Sequence, residues 1–136
     1  MKGIADTGFL VAFANRNDEH HLWAARLASQ VTEPLLTCQA VLAETAFHLQ
    51  DSSAVLKMIE KGLVVDVFDF NANLAHLALL AEKCANRQPD LADLCLIRLS
   101  ELHPRHYVIT VDLKDFSTYR RNKREVIPLI LPPAHG

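Results

Sequence analysis

Five short strand-like runs return along this chain, the third of them rich in β-branched and aromatic residues, and segments of helical character separate them. They cover residues 2–5, 35–38, 63–70, 106–110 and 125–131. Strands spaced in this way form a parallel sheet with both faces covered. The expected fold is therefore α/β, three layers deep (α/β/α), around a central parallel sheet of about five strands. Helices are expected over 7–14, from an Asp18 cap to about Val31, over 39–50, from a Ser52 or Ser53 cap to Gly62, over 71–87 and over 90–102. Pro128 makes the last strand an edge, because it has no N–H for a ladder. In such sheets ligands gather at the carboxyl ends of strands, near the switch in strand order. Asp6 closes the first run and Asp112 follows the fourth.

The chain has 136 residues and half of them are apolar, which suits one domain over 1–136 with a core of its own. No apolar run approaches the roughly 18 residues a membrane span requires. The N-terminus opens on a strand-like segment without signal-peptide character. Cys38, Cys84 and Cys95 are isolated and odd in number, matching neither a disulfide framework nor a zinc motif, and a reducing cytoplasm is the simplest location. His103 and His106 lack two further zinc ligands, His21 reads as a packing or helix-surface residue, and Trp23 reads as core or interface. Net charge is −2, but it is unevenly spread. From Arg98 to Arg124 seven basic residues face three acids, a balance of +4. Within that stretch Tyr119–Arg124 is a basic patch, either a phosphate footprint or a solvated turn.

Four acids stand among apolar neighbours: Asp6 after Gly3-Ile4-Ala5, Glu44 in Val41–Thr45, Asp93 in Asp90–Ile97, and Asp112 after Val108–Val111. On the helix over 39–50, Val41, Thr45 and His48 fall near one face and Glu44 and Phe47 near another. Aspartate and glutamate are seldom buried without a partner. Two carboxylates about 4 Å apart repel by roughly 4 kcal/mol at an effective dielectric near 20. A cluster of four needs protons, basic side chains or cations, and hard oxygen donors at an open cleft suit Mg²⁺ or Mn²⁺. Each acid also has a local role open to it. Asp6 and Asp90 can cap helices, Asp112 and Asp115 can begin turns, and Glu44 can face solvent.

In order along the whole chain, these segments resemble the conserved blocks of the PIN-domain family, and within it the VapC-like ribonuclease toxins. Ile4–His21 is similar to the opening block, Thr37–Leu49 to the block carrying the glutamate, Asp90–Glu101 to the third and Val108–Arg120 to the last. The resemblance implies a PIN-like fold and a Mg²⁺-dependent endoribonuclease that leaves 5′-phosphate and 3′-hydroxyl ends. It assigns the metal-binding and catalytic roles to Asp6, Glu44, Asp93 and Asp112. Thr7 and Thr110 would orient carboxylates, Asp90 and Asp115 would be auxiliary, and Arg120 and Arg121 would reach RNA phosphate. One departure is Leu94, where the family often has alanine.

The resemblance further implies a homodimer and a VapB-like antitoxin that inserts a basic side chain into the acidic site. The residues after Leu131 are too few for an autoinhibitory tail, so control is expected from outside the chain or from a very narrow substrate. Rival readings are a stand-alone PIN nuclease of RNA processing and a non-catalytic PIN scaffold that binds RNA or protein. A phosphoryl-transfer hydrolase with Asp6 as nucleophile would want a second Asp two residues on, where Gly8 stands. A receiver-type signalling domain would want an acidic pair after the first strand and an acceptor better placed than Asp69.

Overall fold

The computed structural model describes residues 1–134, so the last two residues of the expected domain lie outside the described residues. A five-stranded sheet holds β1 (Gly3–Ala5), β2 (Leu35–Thr37), β3 (Val64–Asp66), β4 (Tyr107–Ile109) and an edge strand, Leu129–Ile130, in the order β3-β2-β1-β4-edge. All neighbours are parallel, with Ile4 beside Leu36 and Val108, and Leu36 beside Val65. From β1 the chain goes to β2 and β3 on one side, then crosses back to β4 on the other. The switch lies between β1 and β4, immediately below Asp6 and Asp112.

Helices flank the sheet: α1 (Thr7–Ala14), α2 (His21–Ala28), α3 (Gln39–Leu49), α4 (Ser52–Glu60), α5 (Leu74–Lys83), α6 (Leu91–Leu102) and the one-turn α7 (Leu113–Phe116). Ile4, Phe9, Leu10, Leu35, Leu96, Ile97, Leu99 and Ile109 are fully buried between the layers. Seven of the twelve residues of α6 are buried, so it is a core helix rather than an amphipathic one. Leu94, at the family's usual alanine position, is one of them. Trp23 meets Phe9 edge to face at 5.8 Å, the packing role expected of it. His21 is likewise a packing residue, its Nδ1 2.8 Å from the Ala12 carbonyl oxygen. Among the described residues no helix is long and apolar enough to cross a membrane.

Several boundaries depart from expectation for identifiable reasons. The cap of α4 is Asp51 rather than a serine: its carboxylate accepts from the Ala54 amide at 3.1 Å. Beyond α4, Gly62 turns the chain at φ +80°, as its position suggested. Asp18 accepts from the His20 amide in the turn ahead of α2, and the helix itself begins at His21. The third strand stops at Asp66 because the Asp66 carboxylate accepts from the Phe68 amide and bends the chain away. The expected helix over 71–87 is α5 with a one-turn 3₁₀ segment before and after it, and Gln88 ends it at φ 46°. The expected fifth strand divides at Pro128. Glu125–Val126 (β6) pairs antiparallel with Arg120–Arg121 (β5), and Leu129–Ile130 (β7) is the sheet edge. Pro128 donates nothing, but its carbonyl accepts from the Val108 amide at 2.9 Å.

Candidate active site

Asp6 follows β1 directly, and its backbone amide still donates to Ile109 of β4 at 3.1 Å. That bond holds its side chain at the mouth of the switch. The carboxylate is only 8% exposed and accepts two hydrogen bonds. The Thr7 amide reaches Oδ1 at 2.7 Å, and the Thr110 hydroxyl reaches Oδ2 at 2.5 Å. Thr110 is fully buried and accepts from the Asp112 amide at 2.9 Å, so its own proton is directed to Asp6. The Thr7 hydroxyl points the other way, donating to Glu44 Oε1 at 2.9 Å. Both threonines therefore orient carboxylates, and they tie β1, α3 and the end of β4 to one another.

Asp93 enters from the first turn of α6. Asp90 caps that helix by accepting from the Asp93 amide at 2.8 Å, and the buried Tyr119 donates its hydroxyl to Asp93 Oδ2 at 2.8 Å. Asp112 caps α7, accepting from the Asp115 amide at 3.0 Å. Carboxylate oxygens of Asp93, Asp112 and Asp115 all lie within 4.8 Å of one another. Asp6 and Glu44 line the same cleft of about 400 Å³, together with Asp18, Asp90 and His48, and no Lys or Arg lines it.

Burial and like charge act on the acids together. Burial pushes Asp6 up to about 6 against the two hydrogen bonds that favour its ionised form, and the nearby Asp112 and Glu44 raise it further. Asp93 is pushed up to about 7, again mainly by burial, with Tyr119 opposing and Asp90, Asp6 and Asp112 adding to the rise. Asp115 is raised as well, by desolvation and then by Asp112. Tyr119 is raised above the ordinary phenol range by burial and by the carboxylate it serves, so it remains a donor. A cation shared by these oxygens would relieve the repulsion. The donor set of hard oxygens, with no Lys or Arg on the cleft wall, fits Mg²⁺ or Mn²⁺.

The fold thus brings together Asp6, Glu44, Asp93 and Asp112, with Thr7, Thr110, Asp90 and Asp115 around them. It does not bring the two arginines to the cleft. Arg121 is 3% exposed and spends its guanidinium on the Ser100 and Pro104 carbonyls and on Glu125, anchoring the β5–β6 ribbon to α6. Arg120 bonds the Ser117 and Tyr119 carbonyls and lines a different hollow. Asp18, His48 and Tyr119 are the additions. His48 was within reach of sequence reasoning, because it lies one helical turn after Glu44. Val41 and Thr45 do turn inward together, but His48 is exposed and shares the cleft with Glu44, while Phe47 is exposed. Tyr119 had no such signal, since its partner Asp93 lies 26 residues away.

The family model described as PIN domain matches residues 4–122, which include all seven carboxylates of the cleft. No curated protein shows a significant match to the chain.

Proposed function

The chain belongs to the PIN-domain family, whose members are generally nucleases, and on that premise we propose that it is a Mg²⁺- or Mn²⁺-dependent endoribonuclease. The observation that carries this reading is the cleft at the β1/β4 switch, lined by seven carboxylate side chains and by no Lys or Arg. Asp6, Glu44, Asp93 and Asp112 would hold the cation, with Asp115 close enough to Asp93 and Asp112 to share it. When bound, a divalent cation supplies Lewis acidity at the phosphodiester and makes water a competent nucleophile at neutral pH. The chain's own contribution is orientation: Thr110 and the Thr7 amide fix Asp6, the Thr7 hydroxyl fixes Glu44, and Tyr119 fixes Asp93. Attack of water on phosphorus with the 3′ oxygen as leaving group would leave 5′-phosphate and 3′-hydroxyl ends, with no covalent enzyme intermediate.

Within that activity we assign the chain the role of toxin in a cytoplasmic toxin–antitoxin pair. The negative cleft is a receptor for the guanidinium of a VapB-like antitoxin, which would satisfy the carboxylates in place of the cation. Exposed Phe47, Leu91 and Leu102, on α3 and α6, offer apolar contact for the antitoxin or for a second copy in a homodimer. The test of the activity is cleavage of RNA by the purified chain with Mg²⁺, followed by chemical identification of the new ends. D6N, E44Q, D93N and D112N should each lower the rate at least about a hundredfold, at the upper end of effects at metal sites. Full activity of D93N would overturn the assignment. Co-expression with the product of the neighbouring reading frame tests the toxin role, which fails if that product neither co-purifies nor restores growth.

A further inference from the structure

A phosphodiester strand entering a cleft lined by seven carboxylates is repelled wherever cations do not neutralise them, so affinity for RNA has to come from another part of the surface. A second hollow, of about 520 Å³, has lining residues of its own and is linked to that cleft through one side chain. Tyr119 lines it, and the hydroxyl of the same tyrosine bonds Asp93. Lys83, Arg87, Arg98, Arg120 and Lys123 line the hollow against one acid, Glu101, a balance of +4 on a chain of net charge −2.

Two of these cations serve the fold. Arg98 bonds Asn73 and pairs with Glu101 at 3.1 Å, and Arg120 holds two backbone carbonyls. The other three are different. Lys83 at the end of α5, Arg87 in the following 3₁₀ turn and Lys123 in the β5–β6 turn are exposed, and none has a side-chain hydrogen bond or ion pair among the described residues. Three separate segments thus converge three unpaired cations on one hollow. Lys123 does so from a backbone at φ 74°, where lysine is uncommon and glycine is favoured. A surface built only for solubility has no reason to gather positive charge beside its acidic cleft.

We propose that this hollow binds the phosphodiester backbone of a single RNA strand to one side of the scissile bond, with Lys83, Arg87 and Lys123 as its phosphate contacts. The inference rests on the ribonuclease reading of the cleft. Contacts of this kind hold and register a strand without reading its sequence. An acidic peptide could satisfy the same cations; RNA is favoured because Tyr119, which lines the hollow, bonds Asp93 of the acidic cleft directly.

Binding of a labelled mixed-sequence RNA oligonucleotide is measured by fluorescence anisotropy in EDTA, at several salt concentrations. The variant combines Lys83→Ser, Arg87→Ser and Lys123→Gly. A control of equal charge change combines Arg26→Ser, Lys57→Ser and Lys61→Ser, exposed residues outside both cavities. The hollow variant should bind at least about tenfold more weakly, and the slope of log K against log salt should shrink by about 2, as three single-strand phosphate contacts require. The control should match the parent. Equal weakening of both variants, or of neither, overturns the proposal. So does displacement of RNA from the parent by polyglutamate as effective as by RNA itself, which would identify an acidic-peptide site. If the combined variant melts early, the three single substitutions carry the same comparison. Cleavage by the parent in Mg²⁺ is read separately. A parent that binds through the hollow but cleaves nothing refutes the nuclease reading alone. A parent that cleaves while the hollow variant binds as tightly as it does refutes the hollow alone.

Discussion

Thr110 and Tyr119 each direct one hydroxyl at a carboxylate that burial has made reluctant to ionise. A hydrogen bond to the charged form lowers an acid's pKa, so removing the donor raises it. Y119F should therefore move Asp93 above about 7, and the acidic limb of the pH–rate profile should shift upward with it. The loss of a hydrogen bond to a charged group should also cost about 1.5–3 kcal/mol of stability where Asp93 is ionised. A Y119F profile that superimposes on the parent's would contradict the role given to this tyrosine. The same raised acids set a pH dependence of folding without metal. In the unfolded chain Asp6 has its ordinary value of 3.8, and in the folded chain about 6, so the native state binds the proton more tightly across that window. Stability without metal is therefore highest toward pH 4 and declines as pH rises to 6. Asp93 extends the decline to about 7. For Asp6 the change is on the order of 3 kcal/mol, and Asp93 adds less than its shift suggests because solvent screens it. Urea unfolding in EDTA between pH 4.5 and 7.5 would show this decline, and D6N should flatten it. A stability that rises with pH over that range would contradict the geometry.

At the scale of elements, the site depends on a close approach between α1 and the end of β4. A Cβ at Gly8 would collide with the Val111 side chain, next to Asp112. Valine is stiff at χ1, so the strain of G8A should pass to the backbone and move Asp112. The expected cost is about 1–3 kcal/mol of stability, with a loss of cleavage rate larger than any loss of RNA affinity. Equal kcat in G8A and parent would show that the approach does not position the acid. The parallel α/β class was legible because short apolar runs separated by one or two helical segments leave few alternatives. Strand ends were not legible. A strand buried on both faces has no alternation to mark its limits, and Asp66 and Pro128 ended strands through side-chain hydrogen bonding and a missing donor. The four principal acids were legible from their apolar surroundings and from their order along the chain. The inward turn of Arg121 was not, because a surface arginine and one bonded to Ser100 look alike in sequence.

Over the whole molecule, charge is divided between an acidic cleft at the carboxyl end of the sheet and a basic hollow beyond Tyr119. On the reading proposed above, the chemistry belongs to the first and the hold on the strand to the second. The central claim is that the clustered carboxylates form a divalent-cation site, and calorimetric titration of the apo chain with Mn²⁺ tests it most directly. Saturable binding at pH 7.5 is predicted, with proton release visible as a dependence of the heat on buffer, because Asp93 is partly protonated near its value of about 7. Binding should weaken at pH 5.5, where Asp6 also holds a proton, and should be lost in D112N. Heats in D112N equal to those of the parent, or no saturable binding by the parent at either pH, would contradict the account.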